Sequence, residues 1–169
     1  RSGTGAVHQL LKEHKDIYAF PNYEFRLITD PDGLLSLKSA IVDNWNIFQS
    51  DFALQRFSKL HNALSSAWTS PYINANYSKL LGESFSVALQ KMMKELNFSS
   101  YKGVWAGRNS IINKTILKIV RHNKWFINKH IYYCPNITED NFYKISTNFI
   151  QNMHTEIMLK SNKNMILLN

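Results

Sequence analysis

The chain has 169 residues, 44% of them hydrophobic and 13% aromatic, and a formal net charge of +8. Length and apolar content exclude a disordered tail and suit one domain able to bury a core without disulfides or a structural metal. No apolar run approaches the roughly 20 residues of a membrane-spanning helix, and no signal peptide is visible.

Residues 1–5, RSGTG, read as cloning residue, and the remainder as a piece of a longer intracellular protein. From there the spacing of apolar residues predicts helices almost throughout. Residues 6–20 set Val7, Leu10, Leu11, His14, Ile17 and Tyr18 on one face, and Pro21 stops the helix. Tyr23 to Ile28 reads as extended or irregular, and DPDG as a turn, with Asp30 or Asp32 available to cap the next helix. That helix, Leu34 to Phe48, has Leu34, Leu37, Ile41, Trp45 and Phe48 as its stripe. Ser50 or Asp51 then opens a third, with Ala53, Phe57, Leu60, Leu64 and Trp68 inward, broken at Pro71.

A fourth helix is predicted over 74–97, with Tyr77, Leu81, Phe85, Ala88 and Met92 inward. SSYKGVWAG follows as a linker punctuated by Gly103 and Gly107. The fifth helix runs from Arg108 to Ile131, and Cys134–Pro135 breaks the chain. Thr138 caps a sixth, with Glu139 and Asp140 in its first turn where the helix dipole favours negative charge, and Phe142, Ile145, Phe149, Met153 and Ile157 as its stripe. Residues 161–169 read as a tail or a truncated next element. No run alternates with period two for long enough to make a sheet. The expectation is an all-α fold: an irregular bundle or array of about six amphipathic helices around a single core over residues 6–160.

Charge is distributed unevenly along this framework. Residues 1–95 carry ten basic and nine acidic side chains, and residues 139–169 carry three of each. Positions 96–138 contain no aspartate or glutamate, but hold Lys102, Arg108, Lys114, Lys118, Arg121, Lys124 and Lys129, a net of +7. At about 100° per residue, Lys114, Lys118, Arg121 and Trp125 fall within one sector of the predicted fifth helix, flanked by Lys124 and Lys129. Ile112, Ile116, Ile119, Val120, Phe126 and Ile127 take the opposite side. A basic face with an indole in its middle suits phosphate: lysines as point charges, Arg121 as a planar fork, Trp125 as a stacking surface. A surface helix also needs a polar face for solubility alone. The absence of acids goes beyond that need, since soluble surfaces mix both signs.

Signatures of catalysis are sparse. There is no H-E-x-x-H, no P-loop, no G-x-S-x-G and no clustered Cys/His spacing, so neither a metal nor a cofactor is expected. Asp30–Asp32 and Glu139–Asp140 fit a turn and a helix start better than an acid–base pair. His14 reads as a core histidine, and Asn123 and His130 as facing the buried side of the fifth helix. Cys134, the single cysteine, cannot form an internal disulfide and reads as a semi-buried thiol. Four N-x-S/T sequons, at Asn76, Asn97, Asn113 and Asn136, are near chance in an asparagine-rich chain. A reducing compartment, cytoplasm or nucleus, is therefore expected.

RFSKLH places Arg56 five residues before His61 and resembles the R-x4-6-H motif of HEPN ribonucleases, helical domains that cleave RNA. The resemblance covers six residues. It implies His61 in acid–base chemistry and Arg56 steadying the phosphate. Phe57 departs from that family's pattern, in which a polar residue usually follows the arginine. The reading drawn from these observations is a non-catalytic domain that binds nucleic acid, RNA favoured over DNA, through 96–138. The alternative is a protein-interaction module docking an acidic partner, with the ribonuclease third.

Overall fold

The computed structural model describes residues 4–20, 25–65, 76–96, 99–102 and 130–167. The fold is mostly helical, with two small sheets. Its elements are α1 (Thr4–Lys12), β1 (Ile17–Ala19), α2 (Arg26–Thr29), α3 (Leu34–Lys38) continued by a π turn (Ser39–Asp43), α4 (Ile47–Leu64), α5 (Tyr77–Leu81), α6 (Ser84–Leu96), β2 (Ser99–Lys102), β3 (His130–Tyr133), α7 (Glu139–Ser161) and β4 (Met165–Leu167). Among the described residues, no helix is long and apolar enough to cross a membrane.

The longest helices carry the stripes their sequences predict. Phe57 and Leu64 of α4, Phe85 and Met92 of α6, and Phe149 and Met153 of α7 are buried in one core. Each such side chain contributes about 1.5–3 kcal/mol by leaving water. The helix α7 starts where expected, Thr138 Oγ1 accepting from the Asn141 amide at 3.4 Å. It ends at Asn162 in the left-handed conformation, φ 51°, a normal C-terminal role for asparagine. Its partner α6 is fastened to it by hydroxyl and carboxylate: Ser84 Oγ donates to the Met153 carbonyl at 2.7 Å, and the Ser84 amide donates to Glu156 at 3.0 Å.

Several expected helices divide. The helix predicted over 6–20 stops at Lys12, and Ile17–Ala19 instead pairs in parallel with Met165–Leu167. Residues 165–167 are therefore part of the fold rather than a tail. With its apolar face left uncovered, α1 exposes Val7 and Leu10, and His14 is exposed rather than in the core, its Nδ1 accepting from the Asp16 amide at 3.2 Å. The stretch before DPDG contains the short helix α2 rather than an extended segment.

DPDG is the predicted turn, the Gly33 amide donating to the Asp30 carbonyl at 2.8 Å. A Cβ at Gly33 would lie 2.8–3.0 Å from three carbonyl oxygens, so the turn requires glycine. Neither Asp30 nor Asp32 caps α3; they pair with Arg26 and Arg56.

The helix predicted over 34–48 underwinds locally. The Asn44 amide reaches back to the Ser39 carbonyl at 2.9 Å, closing a π turn. Trp45 and Phe48 thereby leave the stripe, and α4 begins at Ile47 with Asn46, not Ser50 or Asp51, as its cap. Lys38 Nζ then ties the π turn to α7 through Asp43 at 2.8 Å and Glu139 at 3.1 Å. The helix predicted over 74–97 is cut at Gly82. Trp68 and Pro71 lie outside the described residues.

Candidate nucleic-acid interface

The acid-free segment begins at Leu96, the last residue of α6, and ends at Thr138, the cap of α7. Its two described flanks are strands, where a linker and the end of a helix were expected. β2 pairs antiparallel with β3, with Ser99, Ser100, Tyr101 and Lys102 opposite Tyr133, Tyr132, Ile131 and His130. Lys102 and His130 are thus direct partners, and the chain leaves for residues 103–129 and returns from them at one place. Directly opposed antiparallel residues sit about 4.5–5.5 Å apart.

That rung is held by α4. Fully buried Asp51 accepts from the Tyr132 amide at 2.9 Å, and Gln55 Nε2 bridges Asp51 Oδ1 at 2.6 Å to the His130 carbonyl at 3.3 Å. Just ahead of α4, Trp45 Nε1 donates to the Cys134 carbonyl at 3.0 Å. The stretch from Trp45 to Gln55 therefore grips the outer edge of β3 and the residue just after it, using backbone groups that β2 does not take. Beside it, Cys134 is completely buried, its Sγ 3.5 Å from the Pro135 carbonyl. Burial pushes its thiol up to about 11.

The side chains at the rung are solvent-facing. Lys102, His130 and Tyr101 are exposed, and the His130 ring stacks on half-buried Tyr132 at 6.4 Å and 21°. Among the described residues no carboxylate forms an ion pair with Lys102. Of the expected phosphate-binding set, Lys102 is placed at this surface. Arg108, Lys114, Lys118, Arg121, Lys124, Trp125 and Lys129 lie outside the described residues, as does Asn123. His130, expected on a buried helical face, stands exposed on a strand. Its alternation with buried Ile131 in HIYY was the available signal for that.

Arg56 and His61 do not come together. Five residues apart on α4, they project about 140° from each other around the axis. Arg56 is exposed and its Nε donates to Asp32 at 2.8 Å. His61 points into the core, 2% exposed, its Nε2 donating to the Phe85 carbonyl at 2.9 Å. Burial pushes its pKa down to about 4, which leaves the imidazole neutral. Among the described residues, no three His, Cys, Asp or Glu side chains converge as a metal would require. Compared with known proteins, the chain matches no family model, no curated protein and no solved structure.

Proposed function

We propose that this domain binds nucleic acid, RNA in preference to DNA, without cleaving it, and that residues 96–138 carry the contact. The supporting observation is the rung at Lys102 and His130. It roots both ends of a segment with net charge +7 and no acid at a solvent-facing site where the nearest described lysine is free of carboxylates. Contacts are mainly to phosphate, with Trp125 and Tyr132 or Tyr133 as stacking groups for unpaired bases. Affinity on this reading falls steeply with added salt and depends little on sequence, because counterion release supplies most of the binding free energy.

The test is a titration with fluorescently labelled single-stranded RNA at low and moderate salt. The doubly reversed variant Lys118→Glu/Arg121→Glu should lose binding while keeping its circular dichroism spectrum and unfolding midpoint. Undiminished binding by that variant would move the site elsewhere, and no binding at low salt would remove the reading. A second reading, docking of an acidic protein surface by the same segment, draws on Trp45 and Phe48. They are 38% and 46% exposed, Trp45 being bonded to the Cys134 carbonyl just past β3, and aromatic residues of this kind are enriched at protein interfaces. Failure to bind RNA at low salt favours it.

A further inference from the structure

Alternation along the β2–β3 ribbon puts Ser100, Lys102, His130 and Tyr132 on one face and Ser99, Tyr101, Ile131 and Tyr133 on the other. The first face sets a lysine directly across from an imidazole, with a phenol two residues further along the same strand. Ser100, opposite Tyr132, is small and exposed. Lys102 and His130 are exposed as well, and neither side chain has an ion pair or hydrogen bond among the described residues.

The two rings on this face form a near-parallel pair, 6.4 Å between centroids and 21° between planes. Tyr132 is half-buried and packs against the core, whereas His130 is exposed, so the imidazole is the outer ring of the pair. The backbone beneath them is held from both sides. One side is the ladder to β2; on the other, Asp51 accepts from the Tyr132 amide at 2.9 Å and Gln55 donates to the His130 carbonyl at 3.3 Å. An aromatic surface rooted in this way gives up little freedom when something flat is laid on it.

We propose that this face of the ribbon binds one unpaired nucleotide, its base laid on the His130 ring and its phosphate on Lys102. The two side chains leave neighbouring strands side by side, with about 4.5–5.5 Å between their Cβ atoms, and a single nucleotide offers a flat base and an anion at once. In a duplex every base face is covered by its neighbours, and only phosphates remain for the ribbon. Lys102 therefore serves either form, while His130 selects single strands. The inference rests on the nucleic-acid reading and adds to it a stacking group that the charge pattern does not contain.

The matched probes are a single-stranded RNA dodecamer and a blunt RNA duplex of the same length, titrated at low salt against the whole chain. His130→Ala should weaken binding of the single strand about tenfold, the effect of one stacked base, and leave the duplex within about twofold. Lys102→Gln should weaken both and lower each salt slope by about one. Proton spectra give an independent readout. At saturation the single strand should move the His130 ring protons upfield through the ring current of the base, and the duplex should leave them nearly in place. Binding of neither RNA would remove the nucleic-acid reading and this site with it. Single-strand binding with unmoved His130 protons, with no loss in His130→Ala, or with an equal loss for the duplex would overturn the nucleotide site alone and leave the phosphate contacts of the basic segment standing. An unchanged salt slope in Lys102→Gln would overturn the phosphate half of the site.

Discussion

His61 lies flat against Phe85, ring centroids 3.7 Å apart and planes 11° apart, while its Nε2 donates to the carbonyl of the same residue. The fold therefore accepts this imidazole only in its neutral form. In the unfolded chain it titrates near 6.5, and in the native state burial holds it down to about 4. A base with a depressed native pKa favours unfolding as it takes up its proton. Its full contribution is present above pH 6.5 and is lost as the pH falls towards 4, by on the order of 3 kcal/mol. His154, lowered by burial in the same way, adds in the same direction. Urea unfolding at a series of pH values should show a plateau above 6.5 and a decline below it, shallower in His61→Leu. A flat profile between 6.5 and 4 would contradict the buried neutral ring.

Removing the carboxylate that grips β3 should loosen the root of the basic segment. Asp51→Ala leaves the Tyr132 amide without its side-chain acceptor and should cost about 1–3 kcal/mol. Asp51→Asn keeps an acceptor and should cost less. Hydrogen exchange at the Tyr132 amide reports the effect locally: faster in the alanine variant, close to wild type in the asparagine variant. An unchanged exchange rate in Asp51→Ala would mean that the clamp is not formed.

Gly82 joins α5 to α6 at φ 68° and ψ −152°, a conformation open essentially to glycine alone. A Cβ there would also overlap the Glu156 carboxylate, the group that accepts from the Ser84 amide. Gly82→Ala should therefore lower stability by about 1–3 kcal/mol, more than the ordinary helix-propensity change with its opposite sign. Denaturant unfolding measures it, and a neutral or stabilising result would refute the geometry.

Cys134 should be inert while the domain is folded. Its thiol is buried, and desolvation raises its pKa to about 11, so little thiolate is present at pH 8. A chromogenic disulfide reagent should react slowly in buffer and stoichiometrically within seconds in concentrated denaturant. Rapid modification of the native protein would place the sulfur at the surface.

What the amino-acid order revealed, and what it hid, follows from range. Thr138, the acids after it and the stripe from Phe142 to Ile157 are local signals, and α7 has the predicted start and face. Gly82 interrupts a stripe whose spacing stays helical on both sides, so periodicity alone could not find the break. The π turn is similar: one extra residue per turn displaces Trp45 and Phe48 without disturbing the composition. Strands of three or four residues have too few positions to display a period. Ile17 and Tyr18 fit a helix equally well until Ile166 and Leu167 are known to lie beside them.

The same contrast holds at the candidate interface. A run without acids is legible from composition, but its clamp joins Asp51 to Tyr132, partners distant in sequence, and Asp51 by itself looked like a helix cap. Arg56 and His61 matched a motif by spacing, while the helix turned one outward and the other inward.

The parallel pairing of Ile17–Ala19 with Met165–Leu167 carries a consequence for biosynthesis. On the ribosome the earlier strand emerges long before its complement exists, and closing so wide a loop is entropically slow and registers late in folding. The helices can condense in order of appearance, whereas this sheet must await residues 165–167. A nascent polypeptide arrested before Asn164 would carry Ile17, Tyr18 and Ala19 unpaired, a sticky edge for chaperones to shield.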